Sequence, residues 1–205
     1  MPAVFTTLYN EKVLELVGQP DSKHKAGVTQ ELAIARQAAN IGEIVCYHDI
    51  AAEFQGRRFQ IDLLFLLPGP LGIVCEVKFY KGLLASSGCH DLLIQHVAGV
   101  AREVSNPVPQ VMRAKQLFEG HLEVLGIQMP IAGTVIMAGS CMWSQRALLG
   151  IKRERHRISV HSPRTFFESL RLSRKGQRAS SVPVKELMRR LHAAGHIPII
   201  INLQM

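Results

Sequence analysis

The sequence predicts one α/β domain over residues 1–205, with a central mixed β-sheet flanked by helices. Two observations lead to this prediction. Short apolar segments with the twofold alternation of strands are separated by longer segments with helical periodicity. The chain is also long enough, at 205 residues of which 47% are hydrophobic, to bury a substantial core within a single domain.

The first half of the chain is predicted to hold two helices and three strands. A polar loop is expected at residues 21–26, and Thr29 is expected to cap the second helix. A loop carrying Gly56-Arg57-Arg58 joins the first two strands, and Pro68-Gly69-Pro70 is a strong turn signal before the third. The predicted bounds are residues 6–17 and 29–42 for the helices, and 44–50, 59–67 and 72–80 for the strands.

The second half of the chain is predicted to alternate further helices and strands. Asn106-Pro107 signals a helix start, and apolar residues recur at helical spacing from there to Gly126. Residues 131–138 are apolar throughout, which is typical of a central strand. The other predicted elements are helices at residues 91–101, 163–172 and 183–194, a short strand at 157–161 and a last strand at 197–203 that closes the sheet.

Acidic residues interrupt the second and third strands. Side chains alternate between the two faces of a strand, so Gln60 and Asp62 share one side, and Glu76 and Lys78 share one side. If the turn pairs residue 67 with residue 71, Asp62 lies opposite Glu76. Two carboxylates placed opposite each other repel, which predicts that a divalent metal and the Lys78 ammonium occupy this position.

The surroundings of these acids argue against an ordinary solvent-exposed strand. A single acid in a strand usually marks only its solvated side. Here Leu64, Leu66 and Val74 are expected on the same side as the acids, with Ile61 and Leu63 on the opposite, buried side. Because a buried carboxylate without a partner is costly, a functional site is the favoured interpretation.

Five short motifs, in this order, resemble the nuclease-related domain (NERD) family, a branch of the PD-(D/E)XK nuclease superfamily. The resemblance covers about residues 27–140. One departure is Gln30, which stands where the family usually has a second glycine, and another is a longer segment at 83–105 to which no role is assigned. The motifs are Gly27-Val-Thr-Gln-Glu31, Gln60-Ile61-Asp62, Glu76-Val77-Lys78, Tyr80-Lys81-Gly82 and Asn106-Pro107-Val-Pro-Gln110.

The resemblance implies a restriction-endonuclease-like fold and metal-dependent cleavage of phosphodiester bonds in DNA, endonucleolytic in mode. Mg²⁺ or Mn²⁺ is the implied cofactor, because both prefer hard oxygen ligands. Asp62 and Glu76 are the implied ligands, with the Val77 carbonyl as a further one. Lys78, whose pKa a nearby dication is expected to depress, would orient or deprotonate the attacking water.

Three further residues have expected roles with competing interpretations. Glu31 is expected to hold a second ion or a metal-bound water, although an acid in the first turn of a helix is also favoured by the helix dipole. Gln60 is expected to hydrogen-bond a phosphate or a ligand water. Gln110 is expected to approach the metal site, or else to be an exposed residue of the first helical turn.

The net charge of +8 is concentrated near the C-terminus. Residues 1–145 carry 11 basic and 13 acidic residues, whereas residues 146–190 carry 13 basic and 3 acidic residues. Such a basic extension is typical of a surface that binds a polyanion, and nucleic acid is favoured over a membrane. The preference for DNA over RNA is what the resemblance implies. The competing interpretation is a solvated surface that keeps the protein soluble.

The cysteines and the N-terminus bear on the compartment and the class of protein. The four cysteines, at positions 46, 75, 89 and 141, form no C-x-x-C pair, and residues 1–10 show no secretory signal, so a cytoplasmic protein is expected. A homodimer is compatible with the resemblance. Two other functions remain open: a nucleic-acid-binding module on the same fold that does not cut, and an accessory protein whose basic extension docks an acidic partner.

Overall fold

The computed structural model describes residues 4–5, 22–68, 71–147, 158–174, 182–196 and 200–202. The predicted helix at 6–17 and most of the basic runs at 152–157 and 171–178 lie outside these residues. The helices are α1 (Ser22–Ala39), α2 (Pro107–Val124), α3 (Pro163–Arg174) and α4 (Val182–Ala193). The strands are β1 (Val4–Phe5), β2 (Ile44–Phe54), β3 (Arg57–Leu67), β4 (Leu71–Lys78), β5 (Gly82–Ser86), β6 (Leu92–Val97), β7 (Val100–Ser105), β8 (Ile131–Met137), β9 (Cys141–Trp143), β10 (Ile158–His161) and β11 (Ile200–Asn202).

The strands form a large mixed sheet and a smaller one. The order in the large sheet is β1-β11-β2-β3-β4-β8-β10, and the order in the small sheet is β7-β6-β5-β9. In the large sheet β8 runs parallel to both β4 and β10, and the other pairs are antiparallel. The predicted central position of β8 is therefore confirmed. The last strand, β11, lies between β1 and β2 rather than at the edge.

Helices cover both faces of the large sheet, which divides the core into two layers. One layer packs α2 and α4 against the sheet and includes Phe118 and Leu187. The other packs α1 and α3 against the opposite face and includes Ala35 and Phe166. No helix among the residues that the structure describes is long and apolar enough to cross a membrane.

The alternation of β2 and β3 is interrupted at Asp49 and Asp62. On the C-terminal side of the interruption in β3, Leu63 packs in the layer of α1 and α3, whereas Ile61 packs in the layer of α2 and α4. Asp49 has a positive φ of 55°, and the recorded pairing passes from His48–Leu63 directly to Ile50–Ile61. The prediction that Ile61 and Leu63 share one face is therefore wrong, because the strand pair changes face between them.

Segment 83–105 forms most of the small sheet. The predicted helix at 91–101 is wrong, because these residues form β6, a two-residue turn and the start of β7. Gly82, which ends the Tyr80-Lys81-Gly82 motif, has a φ of 76° and lies so close to the carbonyl of His96 that a Cβ would collide with it. The Tyr80 hydroxyl donates to the Ser105 carbonyl at 2.9 Å. The motif thus fixes the small sheet beside the end of β4.

The observed helix boundaries show which local sequence signals predict the start of a helix correctly. Asn106 caps α2 as predicted, with its side chain accepting from the Val108 N–H. In contrast, α1 begins at Ser22, so the predicted loop at 21–26 is wrong over residues 22–26 and Thr29 is not the N-cap. The predicted loop between residues 50 and 59 is also shorter, because Gln55 and Gly56 alone form the turn, both with positive φ.

Candidate active site

A cleft of about 940 Å³ lies where the interrupted part of β3 meets α1 and the small sheet. Its lining combines acidic, basic, amide and apolar side chains. It takes residues from α1, from β2 and β3, from the end of β4 with the segment that follows it, and from β6 and β7. The lining residues are Ala26, Gly27, Val28, Glu31, His48, Asp49, Gln60, Asp62, Val77, Lys78, Phe79, Tyr80, Lys81, Gln95, Val97, Val100 and Arg102.

Asp62 lies at the end of the β3–β4 ladder and replaces a backbone acceptor. The turn pairs Leu67 with Leu71 as predicted, and the recorded pairs continue to Leu63–Cys75. Beyond them the Asp62 carboxylate accepts the N–H of Val77 at 2.7 Å. The prediction that Asp62 shares a face with Leu64 and Leu66 is wrong, because Asp62 lines the cleft with residues of α1, whereas both leucines pack in the layer of α2 and α4.

Glu76 and Lys78 form a close ion pair on β4. The Lys78 ammonium lies 2.6 Å from the Glu76 carboxylate, and both side chains are largely buried. Lys78 lines the cleft, whereas Glu76 is buried and is not among the lining residues. The structure therefore places Asp62, Glu76 and Lys78 in one electrostatic group. Glu76 itself does not line the cleft, but its ion-pair partner Lys78 does.

The carboxyls of this group have raised pKa values. Burial, with the charges of Glu76 and Glu31, raises the pKa of Asp62 to about 7, against the lowering effect of the Val77 N–H and of Lys78. Burial also raises the pKa of Glu76, although Lys78 opposes it. The fold therefore disfavours the ionised form of both carboxyls, mainly because they are buried and also because acidic neighbours add to the effect.

The pKa of Lys78 is raised in the protein alone, and its expected depression by a bound dication stays a prediction. Burial lowers the pKa of Lys78, but the charge of Glu76, its hydrogen bond and the charge of Asp62 together outweigh burial, and the pKa is raised. In the protein alone the lysine is therefore an ammonium ion at neutral pH.

Glu31 reaches the cleft from the middle of α1. The helix begins nine residues earlier, at Ser22, so the helix-dipole explanation of this acid is wrong. Its carboxylate instead pairs with the Nε2 atom of His48 at 2.7 Å. His48 is buried in β2 and was missed by the sequence analysis, although it is the histidine of a His-Asp pair within a predicted strand.

Asp49 is a second missed residue, and it contacts Gln60. The Gln60 amide donates to the Asp49 carboxylate, and both side chains line the cleft. Gln60 is thus placed where the sequence analysis expected it, beside Asp62. Asp49 lies at the strand interruption, which turns its side chain to the same cleft.

Gln110 lies in the first turn of α2, as predicted, but is not among the residues that line the cleft. Its Oε1 atom is buried and has no hydrogen-bond partner within the described part of the chain. It is therefore not the exposed residue of the competing interpretation. The structure does not bring it into the site with Asp62 and Lys78.

The donor chemistry of the cleft fits a hard divalent cation, but its geometry is not a preassembled metal site. The site contains three carboxylates, those of Asp62, Glu76 and Glu31, whose mutual repulsion a dication would relieve. Within the described ranges, no group of three or more histidine, cysteine, aspartate or glutamate side chains is arranged to hold a metal ion.

The fold and the cleft define a mixed α/β protein of the restriction-endonuclease-like class, with two sheets flanked by helices and an acid–lysine group at the end of two adjacent strands. The family model of the nuclease-related domain matches residues 26–138, which is more than half of the chain. The chain therefore belongs to the NERD family, and its function is nuclease-related. No curated protein and no solved structure matches it significantly.

Proposed function

We propose that this protein is a metal-dependent nuclease that hydrolyses phosphodiester bonds in DNA endonucleolytically. The observation that carries the proposal is the electrostatic group of Asp62, Glu76 and Lys78 at the cleft, within the residues that match the family. A buried cluster of carboxylates with raised pKa values costs stability, and functional sites are where such perturbed groups concentrate. DNA is the substrate that the resemblance implies.

The residues have distinct roles in this proposal. Asp62 would hold Mg²⁺ or Mn²⁺ together with Glu76, whose carboxylate would turn from Lys78 toward the cleft, and the Val77 carbonyl and Glu31 would be further oxygen donors. The bound ion would lower the pKa of a coordinated water and offset charge on the phosphate. Gln60, fixed by Asp49, hydrogen-bonds a phosphate oxygen or a bound water.

Lys78 begins as a charged donor in this mechanism. In the metal-free protein Glu76 and Asp62 raise its pKa, so it is an ammonium ion. A dication held by these two carboxylates would lower that pKa, and the amine would then orient or deprotonate the attacking water. A fixed ammonium beside the scissile phosphate stabilises the charge that develops on the phosphoryl oxygens in the transition state. In the metal-free protein it also fixes the orientation of Glu76 through the ion pair.

Cleavage of supercoiled plasmid with Mg²⁺ or Mn²⁺ tests this function. Lys78→Ala and Asp62→Ala are each expected to reduce the rate by several orders of magnitude, because these groups act as a unit. Lys115→Ala is the matched control: Lys115 pairs with Glu119 at 2.7 Å, and its side chain is 18% exposed against 22% for Lys78. The absence of metal-dependent cleavage, or equal rates for all three variants, would refute the proposal.

A nucleic-acid-binding module without cleavage is the second candidate. It is favoured by one observation, namely that the described residues present no preassembled metal site. Both candidates predict that affinity falls steeply with salt. Only the nuclease predicts that substrate stays intact in Ca²⁺ and is cut when Mg²⁺ or Mn²⁺ replaces it, so a binding assay followed by this exchange separates them.

A further inference from the structure

The small sheet forms one wall of the cleft, apart from the acid–lysine group. This wall consists of four residues of strands β6 and β7, namely Gln95, Val97, Val100 and Arg102. All four residues belong to segment 83–105, for which the sequence alone predicts no functional role. Because they line the same cleft as Asp62 and Lys78, this wall is a candidate for contacts with a substrate.

Apolar side chains are exposed on this wall and on the segment beside it. Phe79 is 44% exposed, Val97 is 38% exposed and Val100 is 65% exposed, and all three line the cleft. The Lys81 ammonium lies 5.6 Å from the centroid of the Phe79 ring. An exposed aromatic ring with a cation over one face, near carboxylates that suit a metal for phosphate chemistry, resembles the stacking platforms that hold unpaired bases.

A buried glutamine orients a cation in the same wall. Gln95 is 1% exposed, and its side-chain amide donates to the Lys81 carbonyl at 2.7 Å. Its Oε1 atom accepts from the Nε of Arg102 at 2.8 Å. Among the described residues, no other acceptor is recorded for the guanidinium, whose remaining N–H groups suit a phosphate.

We propose that this wall selects an unpaired DNA strand: the base at the cleft stacks on Phe79, Val97 and Val100 contact its sugar and neighbouring base, and Arg102 binds the backbone phosphate. This inference rests on the proposed nuclease function and names its substrate as single-stranded or locally unpaired. In an intact duplex the base faces are stacked and hidden, and a protein meets mainly phosphate, sugar and groove edges. Exposed apolar side chains beside the phosphate site therefore favour an unpaired strand.

The size of the cleft agrees with this assignment. At about 940 Å³ it lies near the upper end of the roughly 300–1,000 Å³ of small-ligand sites, so it has room for a few nucleotides of a single strand. The competing arrangement is a duplex that docks on the cleft from outside, with Val97 and Val100 pressed against its minor groove.

Fluorescence anisotropy in Ca²⁺ tests the inference with a labelled single-stranded DNA oligonucleotide and the duplex of the same sequence. The wild-type protein is expected to bind the single strand more tightly. Phe79→Ala is expected to weaken single-strand binding at least about fivefold, the lower end of what stacking on one base contributes, with a smaller effect on duplex binding. Phe79→Trp is expected to retain the affinity, because it keeps a stacking surface.

Arg102→Gln is expected to weaken binding of the single strand and to reduce its salt dependence by about one phosphate contact. Two controls match these variants at sites distant in the fold: Arg164→Gln, an exposed arginine on α3, and Val124→Ala, a 74% exposed valine on α2. Circular dichroism establishes that each variant is folded. Both controls are expected to bind as the wild type does.

The outcomes separate this inference from the proposed function. Tighter binding of duplex than of single strand, or equal losses for Phe79→Ala and Val124→Ala, overturns the inference, even if plasmid is cut with Mn²⁺. A single-strand preference that Phe79→Ala abolishes, in a protein that cuts no substrate with Mg²⁺ or Mn²⁺, supports the wall and refutes the nuclease. The absence of binding to either DNA overturns the inference.

Discussion

Replacing Asp62 with asparagine is expected to stabilise the metal-free protein at pH 8 while abolishing cleavage. Burial and two neighbouring acids raise the pKa of Asp62 from 3.8 to about 7. At about 1.4 kcal/mol per pKa unit, the folded state holds the ionised group at a cost of roughly 4 kcal/mol. An asparagine still accepts the Val77 N–H, although this neutral hydrogen bond is about 1 kcal/mol weaker. Asp62→Asn is therefore expected to raise the free energy of unfolding by about 3 kcal/mol at pH 8.

The sign of the pH dependence makes this prediction specific. A carboxyl whose pKa is higher in the folded than in the unfolded state lowers stability progressively as the pH rises from about 4 to about 7. The gain from asparagine is therefore largest at pH 8 and shrinks by more than half at pH 5. Urea unfolding in EDTA at the two pH values measures it.

An exposed acid provides the control for this experiment. Asp91→Asn removes a surface carboxylate with weak ion pairs and is expected to change stability by less than about 1 kcal/mol at either pH. If Asp62→Asn lowers stability at pH 8, or raises it equally at both pH values, the reasoning about this site is refuted. Adding Mg²⁺ or Mn²⁺ is expected to stabilise the wild type and not the asparagine variant.

Three further predictions concern the packing around α2. Burial lowers the pKa values of His121 and His196, whose rings pack at 6.1 Å, so stability is expected to fall as the pH drops below about 6.5, and His121→Phe should flatten that slope in urea unfolding. Gly120→Ala is expected to destabilise the protein by about 1–3 kcal/mol, because its Cβ would collide with the Phe54 ring; an unchanged melting temperature would contradict this. Asn106→Ala removes the α2 cap and should cost about 1 kcal/mol by denaturant unfolding, most of which Asn106→Asp restores.

Local signals account for the elements that the sequence predicted correctly. Asn106 and Pro107 start α2, and its apolar residues keep a helical period, so neighbouring residues alone decide the outcome. The predicted helix at 91–101 failed because β6 and β7 join at Ala98-Gly99, a two-residue turn with φ values of 48° and 80°. Alanine rarely adopts a positive φ, so the usual Asn-Gly or Asp-Gly hairpin signal is absent.

The candidate site was predictable only where strand alternation held. The ion pair of Glu76 with Lys78 follows directly from their spacing on one strand. The contributions of His48 and Asp49 depend on an interruption of β2, which arises from pairing with β3 and not from the local sequence. The proposed role of Arg102 depends on its contact with Gln95, which lies on a strand within the predicted helix at 91–101.

The change of face in β2 and β3 has a consequence for how the protein unfolds. Both strands pack in the layer of α2 and α4 along their whole length, whereas they contribute to the layer of α1 and α3 only on the side of the interruption that holds Cys46 and Leu63. The two layers therefore depend on the same strands. If one pair of helices detaches, β2 and β3 lose packing contacts on that face, and this destabilises the strands on which the other pair of helices packs. Amide protons of both strands are therefore expected to exchange in a single cooperative opening, and the acidic cleft at the crossover is held in place by the whole domain.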